Sequence, residues 1–232
     1  MSLVLRRPKP VTNVKNFMQS TWGQRKNYNE VFDRINGTLP PAGCGPVALG
    51  QIMRYYEYPS YFNWDAMPYD EASHTTSVLL HDIAIKANAE ISIDGTGTTD
   101  NDIQKALQSY GYKCDGVSNH KASKAFYEIE RKHPVYMAGT LEGIGDGHAW
   151  VASGGSYTTS EYYYYLYTFR ERFDFSPIYQ YSDPGSIPIY YFYMNWGWYG
   201  NYNGNYLEGS SAPSSYGEIT ERKDIYGITP NN

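Results

Sequence analysis

The feature that most constrains this chain is a change of hydrophobic period at Pro134. Before it, apolar residues recur at helical spacing; after it, they gather into short runs of β-branched and aromatic residues bounded by glycine. The clearest helix is expected over Pro46–Tyr58, with an apolar face through Val47, Ile52 and Tyr55 and with Pro59 as its stop. Further helices are predicted from Thr76 to Ala89, from Asn101 to Tyr110 and from Ala122 to Arg131. Strands are predicted at Val135–Ala138, at His148–Ala152 ending on Gly154-Gly155, at Tyr162–Phe169 and at Ile189–Trp196. A helical first part followed by an antiparallel second part implies an α+β fold with a cleft where the parts meet. Residues 1–40, punctuated by Pro8, Pro10, Pro40 and Pro41, read as extended chain or loop. Residues 197–218, rich in Gly, Asn, Ser and Tyr, read as a mobile surface loop, and Gly200–Gly217 is expected to wall the cleft.

Length and charge narrow the partners. A chain of 232 residues suits one folded unit with room for two packed lobes. Its 19 Lys+Arg against 24 Asp+Glu leave a net charge of −5, which repels a phosphate backbone, so no nucleic-acid partner is expected. No apolar run approaches the roughly 20 residues that span a bilayer, so no membrane partner is expected, and the N-terminus lacks the apolar stretch of a secretory signal. Met1-Ser2-Leu3 before Val4-Leu5-Arg6-Arg7-Pro8 reads as a tag joined to an interior segment. The two cysteines, Cys44 and Cys114, exclude a disulfide-stapled scaffold and an all-cysteine metal site; no metal or organic cofactor is expected.

Cys44 carries the chemistry this sequence points to. It lies in Pro40-Pro41-Ala42-Gly43-Cys44-Gly45-Pro46, immediately before the strongest helix. A thiol at a helix N-terminus feels the positive end of the macrodipole, so the reading predicts a Cys44 thiol held below the ordinary cysteine range. Gly43 and Gly45 are expected to leave its flanks bare for a substrate backbone. Among the five histidines, His74, His81, His120 and His133 read as surface residues. His148 differs, because it follows Gly145-Asp146-Gly147 and opens a strand, where a rigid end presents an imidazole at a rim. A cysteine and a histidine far apart in sequence are the pattern of a thiol peptidase, whose pair meets in space. Asn195 offers an amide and Trp196 a ring to steady His148, with Asp146 as an alternative. Trp198 reads as a packing aromatic, and Cys114 as a buried bystander.

Several segments together carry a family likeness. Trp22-Gly23-Gln24 with Tyr28-Asn29, Gly43-Cys44 with Ala48 and Gln51-Ile52-Met53, Trp64-Asp65 with Met67-Pro68, Gly147-His148-Ala149-Trp150-Val151, and Asn195-Trp196-Gly197-Trp198 with Gly200 and Asn203-Gly204 resemble the streptopain family of secreted bacterial cysteine peptidases. The resemblance implies a bilobal papain-like fold and endopeptidase activity. It implies Cys44 and His148 as the dyad, Gln24 at the oxyanion hole, and Asn195-Trp196 behind the histidine. Gly43, Gly147, Tyr199 and Gly200 are then assigned to substrate binding. It also implies a protein or peptide substrate, a hydrophobic side-chain pocket, secretion or cell-envelope location, and a zymogen with an inhibitory pro-segment. Residues 1–21 are accordingly read as an N-terminal extension spanning the pro-segment junction, and 22–232 as the catalytic domain. One departure is Gly45-Pro46, where streptopain has Val and Ala; papain's own Cys-Gly-Ser-Cys-Trp signature is absent. Two other readings compete: an acyltransferase using the same dyad, and an inactive protein- or glycan-binding module, which the 26 tyrosines against 8 phenylalanines favour.

Overall fold

Helix α1 (Cys44–Tyr56) begins where Gly43 adopts a φ of 95° as N-cap and ends at Glu57, whose left-handed backbone lets its N–H cap the Met53 carbonyl. Pro46 sits in the first turn, where amides have no partner within the helix and a missing N–H costs nothing. The computed structural model describes residues 2–5, 11–142, 146–168, 178–181, 185–208 and 218–231, with the backbone alone for 2–5, 146, 161–168, 178–181 and 185. Every residue of α1 from Gly45 to Arg54 is buried, so this is a core helix and not a surface one. Helices α2 (His74–Lys86) and α3 (Asp100–Ser109) start at hydroxyl caps, Ser73 and Thr99, which accept from the Thr76 and Asp102 amides. With α4 (Ala122–Glu130), all four begin at or just before their expected positions.

The strands are β1 (Ser2–Leu5), β2 (Thr12–Val14), β3 (Glu90–Ile91), β4 (Thr96–Gly97), β5 (Tyr112–Lys113), β6 (Ser118–Asn119) and β7 (Val135–Leu141). They continue with β8 (Asp146–Thr168), β9 (Ile178–Tyr181), β10 (Gly185–Asn195), β11 (Gly204–Leu207), β12 (Ile219–Ile225) and β13 (Thr229–Pro230). The main sheet is antiparallel in the order β11-β10-β8-β7-β12-β6, and β1, β2 and β9 also pair with β8. Its alternation separates two cores. Tyr136, Ala138, Ala149, Val151 and Ile225 face α1, α2 and α3, whereas Val135, Met137, Trp150, Ala152, Phe192 and Trp196 face α4. A strand covered on both faces needs apolar residues at every position, which is why Ala149-Trp150-Val151-Ala152 is a continuous apolar run. The result is the α+β arrangement expected, helices packed against a C-terminal antiparallel sheet.

Two local expectations need correction. Gly154-Gly155 does not end a strand; β8 runs through both and joins the segments predicted as two strands. A Cβ at Gly155 would lie 2.2 Å from the Tyr191 carbonyl oxygen, and one at Gly154 would lie 2.8 Å from the Asn16 nitrogen. Neighbouring chains crowd the backbone from both sides, and only glycine fits. Second, β11 lies inside the stretch read as loop and pairs with β10 from Met194↔Gly204 to Tyr191↔Leu207; residues 209–217 of that stretch lie outside the described residues. The charged Ile219–Ile225 segment, outside the strands predicted from sequence, forms β12, its Asp224 fully buried. At the other end, residues 12–20 bind across the sheet: β2 pairs with β8, the Phe17 amide donates to the Ser153 carbonyl, and Met18 and Ser20 are buried.

Gly155→Ala is expected to cost about 1–3 kcal/mol through overpacking against β10. The check is a urea unfolding curve with a lowered midpoint and an unchanged slope. An unaltered midpoint would mean that β8 and β10 do not approach as closely as described.

Candidate active site

Three separate segments bring the candidate residues together. Cys44 is the first residue of α1, and the chain leading into it is held from outside the helix. The Ala42 amide donates to the Gln24 carbonyl at 2.7 Å, the Asn29 amide to the Pro40 carbonyl at 2.6 Å, and the Thr96 hydroxyl to the Pro41 carbonyl at 2.6 Å. The bond to Ala42 explains how Gln24 comes to lie beside Cys44. Its own segment is anchored by Trp22, whose backbone N–H donates to Gln51 Oε1 and whose indole donates to the Pro68 carbonyl. Gly23 lies flat against the Tyr199 ring, where a Cβ would come within 2.2 Å. The Tyr199 hydroxyl accepts from the Arg25 amide at 2.7 Å, closing the clamp.

His148 opens the buried part of β8, and its side chain follows Trp150 onto the α4 side of the sheet. Its Nε2 lies 2.9 Å from the Trp196 carbonyl oxygen. A carbonyl only accepts, so Nε2 carries the hydrogen and the lone pair is left on Nδ1. Tryptophan rings fix the plane of the imidazole: Trp198 at 4.8 Å between centroids, Trp150 and Trp196 each at 6.2 Å. Asn195 makes a different set of bonds. Its Nδ2 donates to the Ser20 carbonyl at 2.7 Å and to Gln51 Oε1 at 2.9 Å, while its Oδ1 accepts from the Gly197 amide at 3.2 Å. Of the two orienting groups expected, the one bonded to the imidazole is thus Trp196, through its backbone carbonyl and not its ring nitrogen. The Asn195 amide instead ties the Trp196–Trp198 segment to α1. The Asp146 side chain lies outside the described residues.

Gln24, Cys44, Gly147, His148 and Trp198 line one open cavity of 1510 Å³. A smaller one of 210 Å³ adjoins it, lined by Gln24, Pro41, Trp198 and Tyr199 among others. Gly200 lines neither. The space beside Gly43 and Gly45 is not bare, because a Cβ on Gly43 would meet the Thr96 carbonyl at 2.7 Å and one on Gly45 the Thr98 hydroxyl at 2.3 Å. These glycines admit the β4 segment, not a substrate backbone. Gly147, by contrast, has nothing near its Cβ position and faces the cavity. Among the described residues no three His, Cys, Asp or Glu side chains converge on a metal-sized site.

Electrostatics correct the expected charge state. Burial pushes the Cys44 thiol up; the amides of Ala149, Gly45 and Cys44 itself pull it down, but by less. The helix terminus therefore acts on the thiol as expected, yet desolvation wins. Burial likewise lowers His148 from its ordinary 6.5 to about 4, partly offset by the Trp196 carbonyl. Each group in its own surroundings rests neutral. Cys114, half buried, is pushed up to about 11 by burial and Asp115, and both cysteines are free thiols. His74 is exposed and paired with Glu30, but His120, read as a surface residue, is sandwiched between Asp224 at 2.6 Å and Glu208 at 3.0 Å.

Sequence reading undervalued three residues. Trp198 reads from sequence as a packing aromatic, although the density of tryptophan around a candidate imidazole is a usable signal. Gln51 stands in the sequence only as part of a motif, yet a glutamine on a core helix must find buried partners. Thr96 had no signal, since nothing local marks a threonine that braces a distant loop.

The sequence pattern of the Peptidase C10 family matches residues 22–62 and 60–206. The chain is similar to the thiol protease/hemagglutinin PrtT of Porphyromonas gingivalis, 24% identical over 258 residues that cover 90% of this chain; it spans only 26% of that protein. Among solved structures it resembles active wild-type interpain A cysteine protease of Prevotella intermedia, with a TM-score of 0.67, 17% identity, and coverage of 93% of this chain and 94% of the other. A mutant prointerpain A fragment from the same organism gives a TM-score of 0.61 at 17% identity, covering 94% of this chain and 71% of that one. The fold is bilobal and papain-like.

The lowered His148 predicts a pH dependence of stability. Between pH 6.5 and about 4 the unfolded chain holds a proton on this imidazole that the folded chain does not, so stability falls as pH drops through that window. The full shift corresponds to about 3 kcal/mol. Urea unfolding of wild type and His148→Gln at several pH values should show the variant losing about that much less between neutrality and pH 4. Parallel curves would mean that His148 is not buried in its neutral form.

Proposed function

We propose, since the chain belongs to the Peptidase C10 family, that it hydrolyses internal peptide bonds through an acyl-enzyme on Cys44. The observation that carries this reading is the single cavity lined by Cys44, His148 and Gln24, with the Nδ1 lone pair of His148 left free by the Trp196 carbonyl. Cys44 Sγ attacks the substrate carbonyl as its proton passes to His148 Nδ1. A neutral imidazole is the form that accepts this proton, and burial keeps it neutral at physiological pH. The Cys44 amide and the Gln24 side chain stabilise the oxyanion, His148 returns the proton to the leaving amine, and water releases the acid product. Asn195 and the tryptophans act as positioning residues, holding the carbonyl that orients His148. The finer likeness to streptopain in the Trp22–Gln24 and Gly147–Val151 segments supports the same roles.

The reading extends to context. Residues 22–232 carry the catalytic groups, with residues 12–20 packed into the same sheet, and the protein acts outside the cytoplasm after release from a longer precursor whose pro-segment inhibits it. Its likeness to a prointerpain fragment longer than itself supports the precursor.

An epoxide inhibitor of thiol peptidases should label wild type stoichiometrically and Cys44→Ala not at all. Gln24→Ala should lower kcat about 10²- to 10³-fold with KM little changed, since an oxyanion donor acts mainly as charge builds. Normal turnover with Cys44 still labelled would remove Gln24 from the mechanism. Absence of both labelling and peptide cleavage would overturn the peptidase reading itself.

A further inference from the structure

The lining of the cavity that holds Cys44 includes a second, chemically distinct group of residues. It comprises Val117, Ala138, Tyr136 and Asp100, the first residue of α3. Tyr136 is fully buried, and its hydroxyl donates to Asp100 Oδ1 at 3.3 Å, the one hydrogen bond given to this carboxylate among the described residues. The thiol and this carboxylate are near enough that the Asp100 charge opposes ionisation of Cys44, and Tyr136 is coupled to both. Asp100 and Cys44 line the same cavity.

We propose that Asp100 is the specificity-determining residue of this cleft and selects a lysine or arginine side chain flanking the scissile bond. The inference rests on the peptidase reading above and departs from the hydrophobic pocket that the family resemblance implied.

A long basic side chain has two parts, and this part of the lining suits both. Its methylene stem packs on the apolar part of the lining at Val117 and Ala138, while its charged head reaches the carboxylate. An aliphatic side chain fits the walls but leaves Asp100 desolvated without a counter-charge. Desolvation already holds the Asp100 carboxyl above the usual carboxylate range, against the pull of Tyr136 and Lys223, so an arriving cation relieves a cost the empty pocket carries.

The surrounding charges point the same way. Glu90, Asp94 and Glu221 line the cavity with Asp100, against Arg222 and Lys223. Arg222 is engaged by Glu208 at 2.8 Å, and Lys223 donates to Asn119, so neither closes an ion pair on Asp100. Lys223 screens Asp100 from a distance, which weakens the preference without reversing it.

The test is digestion of a proteome-derived peptide library, followed by kcat/KM on a matched pair of peptides that differ only by Lys or Leu at the selected position. Wild type should enrich Lys and Arg at one fixed position next to the cleaved bond. Asp100→Asn should lower the Lys-to-Leu ratio of kcat/KM by about 10- to 100-fold. Lys223→Ala should raise that ratio, and it serves as the second variant if Asp100→Asn folds poorly. A ratio responds to recognition and not to a general loss of folded enzyme. Cleavage without basic preference, a preference for acidic side chains, or an unchanged ratio in both variants would overturn the proposal and leave the peptidase reading intact. If no peptide is cleaved, competition of matched Lys and Leu peptidyl epoxides for Cys44 decides separately: preferential labelling by the Lys reagent supports Asp100 selection while hydrolysis fails, and equal or no labelling ends the proposal.

Discussion

The buried amide pair of Gln51 and Asn195 is the contact on which the geometry of the site depends. Gln51 lies on the helix that starts at Cys44, and Asn195 ends the strand that leads to the Trp196 carbonyl. Gln51 Oε1 accepts from Asn195 Nδ2 at 2.9 Å and from the Trp22 backbone N–H at 3.2 Å, and Asn195 also reaches the Ser20 carbonyl and the Gly197 amide. One pair of side chains thus joins the nucleophile's helix, the segment carrying Gln24 and the turn that orients His148. Both residues are fully or nearly fully buried, where an amide left without partners costs about 1–3 kcal/mol, so the network favours a single arrangement of the three segments.

Burial decides the electrostatics as well. His148 and His120 have nearly enclosed side chains, yet they shift in opposite directions. His148 meets one neutral carbonyl and three aromatic rings, which cannot compensate a charge, so it stays neutral and available as a base. His120 lies between Asp224 and Glu208, and those carboxylates outweigh its desolvation and raise it. His120 thereby ties β12 to Glu208, the residue after β11. Its contribution to stability is complete below its unfolded pKa and is lost as pH rises through the raised one.

The cleft combines two kinds of wall. Near Cys44 and His148 it is built of backbone carbonyls, glycine and tryptophan, which fix geometry. Toward α3 it is built of a carboxylate, a tyrosine and small apolar side chains, which suit recognition of a substrate's side chain. The clamp of Tyr199 on Gly23 and Arg25 belongs to the first kind; it holds Gln24 in place by packing a ring where no Cβ stands.

The sequence by itself determined the four helices and the α+β division, because hydrophobic periodicity is local and is written into each helix. It also singled out Cys44, His148 and Gln24, through a glycine-flanked helix start, a strand opening and a family motif. What it left undecided was non-local. Gly154-Gly155 read as a strand end, because sequence shows a missing Cβ but not the Tyr191 and Asn16 backbones that exploit it. Gly43 and Gly45 read as open flanks for the same reason, although Thr96 and Thr98 fill the space. Asn195 and Trp196 were adjacent candidates for one role, and only the turn at Gly197 decided that a backbone carbonyl, which no side-chain pattern encodes, meets His148. The charge state of Cys44 followed the same rule: the helix terminus is written in the sequence, whereas the desolvation that outweighs it exists only after the helical core has packed against the sulfur.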